Sequence, residues 1–109
     1  MVTKEAGASP VLDALGHQTR REILALLKAG PLPVGDIAKH LPISRPAVSK
    51  HLRILEQAEL VDHVSQGTQN IFRLRLSGFS AARAYLESFW DEALAGFQQL
   101  AESAEGAER

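Results

Sequence analysis

The 109-residue chain contains no cysteine, which rules out a disulfide framework, a thiolate metal site and a thiol redox switch. Long apolar runs are missing too. The longest, Ile23 to Leu27, is far short of the roughly 20 residues that cross a bilayer, and the opening MVTKEAGASP holds no apolar signal core. Membrane insertion and secretion are not expected, and a cytoplasmic location is. The sequence offers no glycine-rich phosphate loop and no nucleophile spaced for a base, and Glu87, Asp91 and Glu92 are explained by an amphipathic helix, so enzymatic chemistry has no carrier. Histidine is absent after His63, and the four present, His17, His40, His51 and His63, fall on four different predicted elements without ligand spacing. They read as scattered structural residues, with no metal and no cofactor.

Net charge is only −1, but its distribution is uneven. Residues 1–86 carry eleven Lys/Arg against seven Asp/Glu, whereas residues 87–109 carry one Arg against six acids. Between residues 17 and 53 there are seven Lys/Arg and only Glu22 and Asp36. A positive patch of this kind is the footprint expected where a polyanion lies.

The stretch 44–58, SRPAVSKHLRILEQA, organises the rest. At 100° per residue Val48, Leu52 and Leu55 share one side, while Arg45, Pro46, Ser49, Lys50 and Arg53 form the other, with no carboxylate before Glu56. Ser44 is placed to cap the first turn and Pro46 is tolerated within it. A short helix over 34–40, with Ile37, Ala38 and Leu41 inward, ends just upstream at Pro42, giving a tight helix-turn-helix. Downstream, 61–65 and 69–76 alternate as two strands joined by Gln66, Gly67 and Thr68, with Asn70, Phe72, Leu74 and Leu76 on one face and Ile71, Arg73 and Arg75 on the other. Helix-turn-helix plus hairpin is a winged helix.

Upstream, residues 1–8 read as a flexible arm, and Ser9 with Pro10 as the start of a short first helix carrying Val11, Leu12 and Leu15 and ending at Gly16. Thr19 to Glu22 matches a capping box for a helix over 20–29. Arg20 and Arg21 stand near its start as either phosphate contacts or solvated surface residues. A long last helix runs from Phe79 to about Ser103. Its apolar positions 86, 90, 93, 97 and 100 form one row and 82, 86, 89 and 93 another, a band wider than one small domain covers. One row is expected to pack inward and the other to meet a second subunit, with Phe89, Trp90, Ala93, Phe97 and Leu100 as candidates for the contact; the competing reading is a core helix that packs only on its own chain. Residues 9–101 then form one DNA-binding and dimerisation domain, mainly α with a small β-hairpin in the order α-α-α-α-β-β-α, followed by a flexible acidic tail over 102–109.

The segments LDALGHQTRREILALLKAG, LPVGDIAKHLPISRPAVSKHLRILEQAELV and FWDEALAGFQQLAE resemble the ArsR-type family of bacterial winged-helix repressors, over roughly residues 11–101. The resemblance implies a homodimer built through the first and last helices, with Leu12 and Leu15 in the contact on the first, repression by occupying a promoter, and recognition of double-stranded DNA by the Ser44 helix with the hairpin along the backbone. Carried over by position, the family's DNA-reading positions fall on Arg45, Pro46, Ser49, Lys50 and His51; Ser44 and Arg53 on the same helix and Thr68 and Arg73 in the wing are expected to contact DNA beside them. His51 projects between the basic face and the core, so a packed, hydrogen-bonded ring is the competing reading. The chain departs from the family at His17 and Gln18, where members often have Asp-Pro, and at Thr68, where an arginine is common. Metal-sensing members use cysteines or last-helix Asp/His sets; this sequence has neither, which places it with members that do not sense metal. The alternative is a winged helix that binds only proteins, against which the uncompensated face of Arg45, Lys50 and Arg53 argues.

Overall fold

The chain folds in the order α1 (Thr3–Leu15), α2 (Gln18–Leu27), β1 (Leu32–Pro33), α3 (Val34–Lys39), α4 (Arg45–Gln57), β2 (Val61–Gln66), β3 (Gln69–Leu74) and α5 (Leu76–Glu108). This computed structural model describes the backbone of residues 3–108 and the side chains of residues 7–104. Val48, Leu52 and Leu55 of α4 are fully buried, and they share the core with Ile23, Leu24 and Leu27 of α2, Ile37 of α3, and Leu60, Val61 and Phe72 around the sheet. Burying one such side chain stabilises by about 1.5–3 kcal/mol, so the inward row of α4 fixes that helix and commits its opposite row to the surface.

The exit from α4 is equally determined. Leu60 N–H donates to Leu55 O and Glu59 N–H to Glu56 O, both at 3.0 Å, while Glu59 takes φ 61°. This paired pattern ends a helix by turning one residue left-handed. β2 leaves from that turn and pairs with β3 from Val61↔Leu74 to Gln66↔Gln69. The connection is therefore the two residues Gly67 and Thr68, one fewer than expected, and Gly67 at φ 62° is what permits it. Leu76, expected in the second strand, instead opens α5 and is exposed.

Four further expectations are corrected. The first helix begins at Thr3, runs through Pro10 and displaces the arm expected over its residues, because packing on α5 outweighs the Ser9–Pro10 start signal: Gly7 lies close enough to Ala81 that an added methyl would sit 3.8 Å from it. Residues 1–2 of that arm lie outside the described residues. α2 is capped by His17, whose Nδ1 accepts Thr19 N–H at 3.2 Å, rather than by a box starting at Thr19. A third strand, β1, joins the hairpin through Leu32↔Phe72 and Pro33↔Ile71. α5 continues through Glu108, where a tail was expected from residue 102, since Ala and Glu favour helix; Arg109 lies outside the described residues.

α5 gives the molecule its shape. Its 33 residues span about 50 Å, and the radius of gyration is 19.6 Å against about 13 Å for a compact chain of this length. The first turns pack on α1, where Ala82 is buried, but every described side chain from Arg83 onward is exposed, including Trp90 at 66% and Phe97 at 70%.

Candidate nucleic-acid interface

α4 starts at a built cap: Ser44 Oγ accepts the N–H of Ala47 at 3.2 Å, and Pro46 occupies the first turn. With Val48, Leu52 and Leu55 inward, Arg45, Pro46, Lys50 and Arg53 are exposed and Ser49 is half-buried. Arg45 leans towards α3, where Gly35 leaves room for it; a methyl at Gly35 would stand 3.7 Å from Arg45 Nη1. The cap, Ser44, is itself exposed at the end of this strip.

Most other cations of the described chain have partners. Arg73 Nε donates to Asp62 Oδ1 at 2.7 Å and Arg83 Nε to Glu87 Oε1 at 2.6 Å, while Arg75 pairs with Glu59 at 3.5 Å and Lys39 with Asp36 at 3.4 Å. Arg20 and Arg21 are tied to the end of α1, donating to Ala14 O at 2.9 Å and Leu15 O at 2.7 Å, so each has a structural role. Among the described residues, Arg45, Lys50 and Arg53 have no carboxylate within 4.0 Å; Lys28, Arg20 and Arg21 share that condition, the two arginines turning guanidinium N–H groups to the carbonyls that end α1. Of the six described cations without a carboxylate partner, Arg45, Lys50 and Arg53 lie together as one row on α4.

The hairpin divides the expected wing residues. Along β2 and β3, His63 and Phe72 face each other with ring centroids 4.9 Å apart, and His63 Nδ1 lies 2.8 Å from Glu56 Oε1 of α4. Asp62 and Arg73, one residue along each strand, therefore emerge on the opposite face. Arg73 is thus held by Asp62 and is not gathered with the α4 cations, while Thr68 sits exposed at a turn flanked by Gln66 and Gln69. What the hairpin does bring to α4 is a cleft of about 520 Å³ lined by Ser49, Arg53, Glu56, Gln57, His63 and Asn70, with Val34 and Phe72 at its base. His63 and Asn70 were not among the site residues expected from the sequence, although Asn70 was placed on the same strand face as Phe72.

His51 is half-buried and turns away from the exposed strip: its ring centroid is 4.7 Å from that of His17, and its Nδ1 lies 3.5 Å from Arg20 Nη1. Two of the four histidines expected to be scattered therefore meet. Burial, followed by the charges of His17, Arg20 and Lys50, holds the His51 pKa below 6.5. Among the described residues no three His, Asp or Glu side chains converge as a metal site.

Where α1 meets α5, Leu15, Phe89, Trp90 and Ala93 come together with Phe79, Ala82 and Leu86 along an open apolar trough of about 810 Å³. Leu12 is half-buried on α1, and Phe97 and Leu100 continue the apolar face beyond the trough, 70% and 68% exposed. No helix among the described residues is long and apolar enough to cross a membrane.

Element order, tight turn and hairpin together define a winged helix-turn-helix. A sequence model described as bacterial regulatory protein, arsR family, matches residues 17–63. The HTH-type transcriptional regulator Rv2034 of Mycobacterium tuberculosis is 47% identical over 90 residues, covering 83% of this chain and 84% of that protein. Transcriptional repressor SdpR of Bacillus subtilis is 54% identical over 54 residues, or 49% of this chain and 60% of its own length. Among solved structures, the homodimeric winged helix-turn-helix DNA-binding domain of Mb0332 from Mycobacterium bovis, described as a possible ArsR-family transcriptional regulator, matches with TM-score 0.63 at 30% identity over 82% of each chain. The chain belongs to the arsR family of bacterial regulatory proteins, and it is a transcriptional regulator rather than an enzyme.

Proposed function

We propose that this protein is a homodimeric, cytoplasmic repressor that binds a pseudo-palindromic operator through α4 and does not respond to metal. The observation that carries the reading is the row Arg45, Lys50 and Arg53, left without carboxylate partners on a helix whose other face is locked in the core. SdpR is named a repressor and the Mb0332 domain a homodimer, which supports both parts. A two-fold dimer presents two copies of α4, so its half-sites lie about one helical turn, or a multiple of it, apart. Exposed Phe89, Trp90, Phe97 and Leu100, with Ala93 and the α1 residues Leu12 and Leu15, supply the contact between copies.

In this reading Arg45 and Lys50 reach base edges, Ser49 and Pro46 approach the groove floor, and Ser44 and Arg53 meet the backbone. Thr68 approaches the backbone from the wing tip, Arg73 contributes only in concert with Asp62, and His51 acts from behind Lys50. The test is selection of bound duplexes from random DNA, followed by titration of the recovered site. Arg45→Ala should cost about 1–3 kcal/mol and relax preference at one position per half-site, whereas Arg53→Ala should weaken all duplexes alike and flatten the salt slope by about one unit per contact. A folded dimer carrying both Arg45→Ala and Lys50→Ala that binds with unchanged affinity and salt dependence would move the lead to a protein-interaction module.

A further inference from the structure

The corner where α1 turns into α2 carries chemistry that the DNA-facing strip does not use. His17 Nδ1 accepts the main-chain N–H of Thr19 at 3.2 Å. An N–H only donates, so that nitrogen bears no proton and the ring is the neutral Nε2–H tautomer. His51 reaches the same corner from α4, with ring centroids 4.7 Å apart and Nδ1 3.5 Å from Arg20 Nη1. A guanidinium has no acceptor, so this Nδ1 is unprotonated as well. Arg20 cannot easily withdraw, because its Nε and Nη2 donate to Ala14 O at 2.9 Å and Asp13 O at 3.3 Å, tying α2 to the end of α1.

We propose that this corner is a proton-operated latch: with both imidazoles neutral it holds α4 against the α1–α2 turn, and protonation of either ring releases it. The groups facing His51 from each element are all basic, namely Lys50 on its own helix, His17 at the turn and Arg20 on α2. No carboxylate among the described residues pairs with it. A proton on His51 removes the acceptor facing Arg20 and adds a cation beside two others. A proton on His17 removes the cap and sets a positive charge at the positive end of the α2 dipole.

Burial and these positive neighbours keep the His51 pKa below its ordinary 6.5. The unfolded chain therefore takes up protons before the folded one as pH drops through 6.5, so stability falls on acidification and is recovered above that value. The latch joins the helix that carries part of the dimer face to the helix that faces DNA. That significance rests on the proposed function, whereas the latch itself is tested without DNA.

His17→Asn keeps an acceptor at the cap and His51→Gln keeps one towards Arg20, and neither replacement titrates. Thermal unfolding of DNA-free wild type and of the double variant, at one protein concentration, is followed from about pH 7.5 to about pH 5.5. His40 and His63 are common to both proteins and cancel. The wild-type midpoint should fall by about 4–8 °C more than that of the variant, the shift expected for losing one such contact in a domain of this size. Equal pH dependence in the two proteins overturns the latch. Nitrogen-resolved spectra of the unmodified protein test it independently: His17 and His51 should be Nε2–H tautomers near neutrality, with His51 titrating below 6.5. A proton on either Nδ1 at neutrality, or a His51 midpoint at or above 6.5, overturns it.

Discussion

Gly78 is the residue on which the placement of α5 turns, and Gly78→Ala measures how firmly that placement is fixed. A methyl there would stand 2.5 Å from Ala58 O, 2.6 Å from Glu59 O and 2.8 Å from Glu59 C. The nearest of these is closer by about half an ångström or more than non-bonded carbon and oxygen approach. Neither oxygen has freedom to yield. Both belong to the locked end of α4, and Glu59 O also accepts Gly78 N–H at 2.9 Å. The first turn of α5 must lift instead, giving up that hydrogen bond for about 0.5–1.5 kcal/mol and adding overpacking strain of about 1–3 kcal/mol. Replacing Gly by Ala inside a helix returns about 0.5–1 kcal/mol. The net expectation is a loss of about 2 kcal/mol, or roughly 10 °C in the melting midpoint at fixed protein concentration. In urea the midpoint should drop with little change in slope. Ser80→Ala, at an exposed site two residues along the same helix, should stay within about 0.5 kcal/mol of wild type. A Gly78→Ala protein as stable as wild type would show that α5 is not seated on the end of α4.

Two further outcomes follow from the proposed function. Phe97→Asp places a charge on the apolar face of α5 where Phe97 is 70% exposed in the single chain; burying it unpaired between copies costs several kcal/mol, so sedimentation should show monomer in place of dimer, and an unchanged dimer mass for the folded variant would place the interface elsewhere. Binding to the selected duplex should coincide with and without zinc, nickel or copper at low micromolar levels, and a saturable metal-dependent release abolished by one His→Ala change would contradict a regulator without a metal site.

Helix α4 was legible because its signals are local and agree: a Ser cap, a Pro in the first turn, and Val48, Leu52 and Leu55 at helical spacing, all of which the structure realises. The misread ends of other elements are places where a local signal lost to a distant contact. Ser9 and Pro10 announce a helix start, yet α1 passes through them because α5 lies alongside. Thr19 and Glu22 match a capping box, yet the imidazole of His17 takes the Thr19 N–H that the Glu22 carboxylate would have accepted. β1 has no pattern of its own in two residues beside prolines and exists only because β3 offers an edge to Leu32 and Pro33.

The charge on the candidate interface was legible only in outline, and the reason is pairing. Sequence distribution assigns equal weight to Arg20, Arg45, Arg53 and Arg73, since each is one cation in a stretch of positive excess. The fold then removes two of them from circulation by different routes: Arg20 into the carbonyls that end α1, and Arg73 into Asp62 across the hairpin. Both routes need partners brought close by tertiary structure or by strand register, and neither leaves a mark on helical periodicity. His17 and His51 show the same effect across 34 positions of sequence, where two rings with no common motif become neighbours once α4 packs on α2. A positive patch read from sequence is thus an upper bound on the cations available to DNA, and the free ones are found by subtracting those the fold employs. Among the described residues the subtraction leaves Arg45, Lys50 and Arg53 together on one helix face, with Lys28 apart from them.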